Sequence, residues 1–373
     1  MKPLKLALIR QRYTPFGGAE RFVSRAMEAL KAQGASVTLL TRKWEGHGDA
    51  LICNPFYWGS LWRDGSFAHC VCRTLAQHDF DLVQSHERIP CCDIYRAGDG
   101  VHREWLAQRS RVLGPWKRLG LRLNPYHRYT LAAERRLFAS PQLKAVICNS
   151  RMVKAEIMRH FDVAENKLHV IYSGVDLDAF HPSLKALHRQ TVRAQLDIPE
   201  HVTLFLFVGS GFERKGLAAA LQALPSAAYL AVVGHDRHAY DYARLATQLG
   251  IADRVRFLGA QQDVKPFYGA ADALVLPTLY DPFPNVALEA LACGLPVITS
   301  TKCGAAELLA ETGLVVDALD TDALNVAMTT MLVENHRLAL SAQARHLANE
   351  YGLQTMAGHL LRLYGELLPQ AGL

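Results

Sequence analysis

No apolar run in this chain of 373 residues reaches the roughly 20 consecutive residues that a membrane-spanning helix needs. Its opening, MKPLKLALIRQRYTPF, breaks into charge too early for a signal peptide, so a cytosolic protein is expected. Zinc-ligand spacing is missing too. Cys70 and Cys72 are one residue apart, Cys91 and Cys92 are adjacent, and Cys53, Cys148, Cys293 and Cys303 stand alone, so reduced, buried thiols are expected. The dinucleotide fingerprint is incomplete, because Gly17 and Gly18 in TPFGGAER have no third glycine at the required spacing. The Asp-x-Asp at Asp320 and Asp322 precedes a helix and reads as its N-cap, so neither a metal nor a cofactor is expected.

What the chain does contain is 50% hydrophobic residues, enough for a sizeable core and more than one domain. Short β-branched or apolar runs alternate with amphipathic stretches of helix length, the pattern of parallel strands joined by crossover helices. Strands are predicted at KLALIR, SVTLLTR, FDLVQSH, DIYRAG, LKAVICNS and LHVIYSG, and again at VTLFLFVG, YLAVVG, VRFLG, ALVLP, PVITS and LVVD. The expected fold is α/β, with two doubly wound, Rossmann-like domains facing a cleft. The first covers residues 1–175 and the second 176–353, while an amphipathic helix in 354–373 folds back on the first. The polar stretch 183–201 reads as a connection.

Charge is unevenly spread. Up to residue 170 there are 27 basic and 15 acidic residues, a net of +12; the remainder has 14 and 20, a net of −6. One segment, 103–136, holds Arg103, Arg109, Arg111, Lys117, Arg118, Arg122, Arg128, Arg135 and Arg136 against just Glu104 and Glu134. Trp105, Trp116, Tyr126 and Tyr129, set among leucines, suit the level of lipid headgroups, so this segment is expected to meet anionic lipid. The competing reading is a solvated arginine-rich helix pair over ordinary core leucines. Nucleic acid is not expected, since no recognised module surrounds these residues.

Ligands of open α/β sheets gather in the loops beyond the carboxyl ends of the strands. In the first domain, Gly17 and Gly18 permit close backbone approach ahead of a helix N-terminus. In the second, FVGSGFERKG supplies Gly209, Ser210, Arg214 and Lys215, a planar fork and a point charge suited to a diphosphate. The stretch YDPFPNVALEALACGLPV then places Asp281 and Glu289 eight residues apart, one at a helix mouth and one about a turn further in. Carboxylates accept from vicinal hydroxyls, as a sugar and a ribose present them. Backbone around Phe283, Pro284, Asn285 and Val286 turns N–H groups toward whatever lies between, less the one proline lacks. Each segment taken alone also fits solvated charge at a tight turn.

Together these residues resemble a family. PTLYDPFPNVALEALACGLPVITS looks like the donor-site signature of retaining glycosyltransferases of the GT-B fold, family 4, which usually place Glu at both ends of the interval. Here the first acid is Asp281, shorter by one methylene, which bears on the identity of the donor sugar. GGAER, CNS at Cys148 to Ser150, SGVDLDAFHP and GSGFERKG extend the likeness over essentially the whole chain. TPFGGAER, KWEG, PCCDIYRAGDGVHREW and FERKG are similar to the bacterial lipopolysaccharide core glycosyltransferase I group, whose basic segment binds the inner membrane.

The resemblance implies that Arg214 and Lys215 bind the donor diphosphate, Glu289 the ribose and Asp281 the transferred sugar. Gly17 and Gly18 would admit donor phosphates or acceptor. Where many family members have a His contacting the donor sugar, this chain has Asp99, with His102 three residues on. His86, Glu87 and His102 are acceptor candidates, although a lone His at a strand end also fits a structural role. The implied reaction is metal-independent hexose transfer from UDP-glucose to a lipopolysaccharide core or other lipid-linked saccharide, peripheral on the inner membrane and retaining the anomeric configuration. Two alternatives stay open: a GT-B enzyme with a soluble acceptor or a nucleotide-sugar epimerase, and a non-catalytic membrane-binding protein.

Overall fold

The alternation of short apolar runs with helices resolves into two separate all-parallel sheets. The computed structural model describes residues 4–11, 36–44, 50–309 and 313–368. Gly17 and Gly18 lie outside the described residues. The chain divides into one unit of Met1–Tyr172 with Met356–Leu373 and a second of Ser173–Thr355.

The first sheet comprises β1 (Lys5–Ile9), β2 (Ser36–Thr41), β3 (Ala50–Ile52), β4 (Leu82–Ser85), β5 (Ile94–Arg96), β6 (Ala145–Cys148) and β7 (Leu168–Val170). Their order is β3-β2-β1-β4-β5-β6-β7, so the direction of winding reverses between β1 and β4. Its helices are α1 (Gly59–Leu75), α2 (His102–Arg111), α3 (Pro115–Leu123), α4 (Pro125–Phe138) and α5 (Arg151–His160). Strand β3 lies outside the sequence expectation: it is an edge strand, ALI, with no fully buried residue, so no buried apolar run marks it. One cysteine expectation is overturned: Cys72, in the last turn of α1, and Cys91, beyond β4, form a disulfide with an S–S distance of 2.02 Å. The helical crossover brings together two thiols 19 residues apart in sequence, a proximity that their spacing does not reveal.

The second sheet comprises β8 (Thr203–Val208), β9 (Ala228–Val233), β10 (Val255–Gly259), β11 (Ala273–Leu276), β12 (Val297–Ser300) and β13 (Gly313–Val316), in the order β10-β9-β8-β11-β12-β13. Here the switch point falls between β8 and β11. Every residue of β8, β11 and β12 is buried, as parallel strands covered on both faces require. Its helices are α6 (Ser183–Gln195), α7 (Phe212–Lys215), α8 (Leu217–Gln222), α9 (Ala239–Gln248), α10 (Lys265–Ala270), α11 (Asn285–Ala292), α12 (Thr321–Thr330) and α13 (Glu334–Asn349), while α14 (Leu353–Leu367) belongs, from Met356 on, to the first unit. Asp320 caps α12 by accepting from the Ala323 N–H at 2.9 Å. Along α14, Met356, Leu360, Leu363 and Tyr364 are buried, and the Tyr364 hydroxyl donates to Gln84 Oε1 of the first sheet at 2.6 Å.

Residues 183–201, expected as a connection, instead build α6 into the second unit. Arg193 is 1% exposed; its Nη2 donates to Asp272 Oδ2 at 2.5 Å, and Arg189 Nη1 donates to Asp272 Oδ1 at 2.9 Å. The stretch looks polar because its cations point inward onto a buried carboxylate.

Candidate active site

Both loops singled out in the second domain flank the β8/β11 switch point. After β8 the chain turns through Gly209 and the exposed Ser210 into the single turn α7, which ends at Gly216 with φ 78°. A Cβ on Gly216 would lie 1.9 Å from the Pro277 carbonyl oxygen, so glycine is required for the two loops to approach this closely. The contact is bonded as well as tight. The Arg214 carbonyl accepts from the Leu279 N–H and the Thr278 hydroxyl, each at 2.8 Å. At the other end of α7, the Phe212 N–H donates to Asp236 Oδ2 at 2.8 Å.

This clamp joins Arg214, Lys215 and Asp281, residues 66 or 67 positions apart. Asp281 Oδ2 accepts from Lys215 Nζ at 2.7 Å and from Arg214 Nη1 at 2.9 Å. Asp281 is only 5% exposed. Burial alone would raise its pKa, but the Lys215 ammonium and the Arg214 guanidinium outweigh that and hold the carboxyl below its ordinary value. Its backbone is pinned in turn: the Asp281 N–H donates to the Lys302 carbonyl at 3.0 Å, and the Asp281 carbonyl accepts from Gly304 at 2.8 Å. Two cations are thereby fixed before any ligand arrives.

Phe283 and Pro284 are buried, and Asn285 opens α11 with Val286 partly exposed beside it. First-turn N–H groups of such a helix favour an anion. Glu289 sits in the buried stretch 287–292; its Oε2 accepts from the Tyr268 hydroxyl at 2.9 Å, which fixes the carboxylate's rotamer. Tyr268 and Asp236 were missed by sequence reasoning. A tyrosine in the Gly/Ala-rich helix KPFYGA is a signal that could have found the first; nothing in the sequence links Asp236 to α7.

The first-domain candidates are placed less openly. His86 is buried, with Nε2 3.1 Å from Gln84 Nε2, and burial together with Arg96 and Arg10 pushes its pKa well down. Glu87 accepts from the Gln11 N–H at 2.9 Å, and burial raises its carboxyl. The Asp99 side chain is 62% exposed, with Arg88 at 3.6 Å. His102 Nε2 shares a hydrogen bond of 3.0 Å with His127 Nδ1, and burial, with Arg88 and His127 adding to it, lowers the His102 pKa to about 3.

In the basic segment, the two acids point inward. Glu134, almost fully buried, accepts from Arg88 Nε and from the His102 N–H, both at 2.9 Å, while Glu104 takes His160 at 2.7 Å and Arg159 at 3.4 Å. Most of the cations point outward. Arg103, Arg111, Lys117, Arg118 and Arg122 are exposed, and Arg109 lies 5.9 Å over the Trp105 ring. None of the nine residues of α3 is buried; Trp116 is 86% exposed, and Leu119 and Leu123 are exposed beside it. This does not fit ordinary core leucines. Phe56 and Trp58, between β3 and α1, and Trp62, in the first turn of α1, add further exposed rings that sequence reasoning passed over. Among the described residues no group of acids, cysteines and histidines could hold a metal, and no helix is long and apolar enough to cross a membrane.

Two Rossmann-like sheets, with a cation pair fixed beside a helix N-terminus at the second switch point, define a GT-B glycosyltransferase. The family model Glycosyltransferase Family 4 matches residues 16–179, and Glycosyl transferases group 1 matches residues 188–347. The chain is 28% identical over 366 residues to the lipopolysaccharide glucosyltransferase WaaG of Escherichia coli K12, covering 94% of this chain and 96% of that protein. The crystal structure of WaaG, a glycosyltransferase involved in lipopolysaccharide biosynthesis, matches with a TM-score of 0.82 at 26% identity, over 98% of this chain and all of that one. HepE from Anabaena, solved in complex with UDP-glucose, shares the fold with a TM-score of 0.72 at 19% identity, covering 97% and 100% of the two chains. Between them the two models span most of the chain, which belongs to the family 4 glycosyltransferases.

Proposed function

We propose that this protein moves glucose from UDP-glucose to the saccharide core of a lipopolysaccharide, with retention and without a metal, while peripheral on the cytoplasmic face of the inner membrane. The observation that carries the reading is the Arg214, Lys215 and Asp281 cluster, two fixed cations on one buried carboxylate. In sugar transfer, charge builds on the departing β-phosphate, and donors already in place stabilise it without reorganising. Arg214 and Lys215 take that role, with the backbone of 283–286 beside them. Glu289, aimed by Tyr268, accepts from ribose hydroxyls, and Asp281 accepts from the sugar while keeping both cations aligned. Two cations in the donor loop remove the need for a divalent ion. The leaving phosphate itself takes the proton of the incoming hydroxyl.

The name of the WaaG relative supports glucose as the sugar and lipopolysaccharide as the acceptor class. In the first domain, Asp99 is the candidate contact for the donor sugar, its side chain exposed with Arg88 at 3.6 Å, and His86, Glu87 and His102 are the acceptor candidates. Outward cations and exposed Trp116 support lipid contact. The test is the product formed from UDP-glucose and truncated lipopolysaccharide in the presence of EDTA, read by proton NMR at the new anomeric centre. The α configuration is expected, as in the donor. A β product contradicts retention, and loss of reaction in EDTA contradicts metal independence.

A further inference from the structure

A cavity of about 450 Å³ opens between α2, α4 and the end of α5, within the range of small-molecule sites. Arg103 enters from α2, while Arg128 and Arg135 enter from α4, two turns apart on one face. Tyr129 and Phe161 contribute ring surface, and no carboxylate lines the cavity. None of the three guanidinium groups has a hydrogen-bond or ion-pair partner among the described residues. This sets them apart from Arg88, Arg189, Arg193 and Arg214, each of which is paired with an acid. Glu104, the neighbour of Arg103 on α2, is already engaged: it holds His160, itself a lining residue, at 2.7 Å.

Three unpaired forks converging on one cavity repel each other until an anion arrives, and guanidinium matches phosphate bidentately. The aromatic side of the cavity adds apolar contact that free phosphate cannot use. We propose that this cavity binds one phosphate ester carried by a lipid, with Arg103, Arg128 and Arg135 on the phosphate and Tyr129 and Phe161 against the adjoining apolar atoms. The cavity holds a single headgroup, so it acts apart from the spread-out charge of the surface. The inference rests on the reading that this segment meets lipid, and a doubly charged monoester suits three cations better than a zwitterionic headgroup.

The test is phosphorus NMR titration of the full-length protein with dihexanoyl phosphatidic acid below its micelle concentration, with dihexanoyl phosphatidylcholine and inorganic phosphate in parallel. Saturable one-to-one binding of phosphatidic acid is expected, at least tenfold tighter than either comparator. The double variant Arg128→Gln/Arg135→Gln, whose altered side chains are exposed and unpartnered, should lose at least tenfold. Equal affinity in that variant overturns the site, and phosphate binding as tightly as the lipid overturns the lipid part and assigns the cavity to free phosphate. Sedimentation with anionic vesicles separates the two readings. Vesicle association without saturable phosphatidic acid binding overturns the cavity and leaves the lipid-facing surface standing, whereas saturable binding without vesicle association upholds the cavity and overturns the surface.

Discussion

Lys215 and Asp281 carry opposite halves of one device. On the proposed role, Lys215→Ala removes a charge-assisted hydrogen bond to the donor, worth about 1.5–3 kcal/mol. Calorimetry should therefore show UDP-glucose binding weakened between tenfold and a hundredfold, and unchanged affinity would reassign the loop. Asp281→Asn instead leaves a buried ammonium without its counter-charge, so a stability loss of about 3–5 kcal/mol is expected in chemical denaturation. Because Asp281 titrates lower folded than unfolded, its stabilisation is complete above the unfolded pKa near about 4 and is lost as pH falls through the lower folded value. Sequence reasoning assigned both cations and the acid separate ligand roles. Their mutual pairing was not legible, because it depends on Gly216 letting two loops that lie far apart in the chain touch. Tyr268 and Glu134 were hidden for a similar reason: each becomes informative only beside a partner that the fold brings near.

At the scale of elements, strands were the most legible part. Each predicted apolar run became a strand, most plainly β8, β11 and β12, where burial on both faces writes itself as continuous apolar residues; β3 escaped because none of its residues is fully buried. Helix α6 was misread as a connection because arginines at helical spacing look solvated until Asp272 is seen beneath them. Arg193→Ala should cost about 3–5 kcal/mol by leaving that carboxylate buried and short of its partner, measured by urea denaturation. A loss under 1 kcal/mol would show that Arg189 alone suffices. The first domain carries a pH dependence through α2. Native His102 takes its proton only near pH 3, whereas the unfolded chain takes it near about pH 6.5. Unfolding therefore binds a proton throughout that window, and stability falls as pH drops from about 6.5 toward 3. His102→Gln should flatten the decline in melting temperature between pH 7 and pH 5; an unchanged slope would assign it to other groups.

For the whole molecule, charge counting alone separated a basic first half from an acidic second half, and the inward turn of Glu104 and Glu134 sharpens that contrast at the surface. A surface of outward arginines and exposed rings predicts two components of vesicle binding. One should weaken severalfold between 50 and about 300 mM salt as screening shortens. The other should resist salt and fall in Trp116→Ser. Association that ignores both salt and Trp116 would argue against this surface.

The central claim is transfer of a hexose from a nucleotide sugar, and it is tested most directly by nucleotide release from a panel of UDP-, GDP- and ADP-sugars, with and without truncated lipopolysaccharide. The account predicts release of UDP from UDP-glucose that rises severalfold when the acceptor is added. Release from a different donor would contradict the assigned sugar, and silence across the panel, with acceptor present and the protein folded, would contradict the transferase itself.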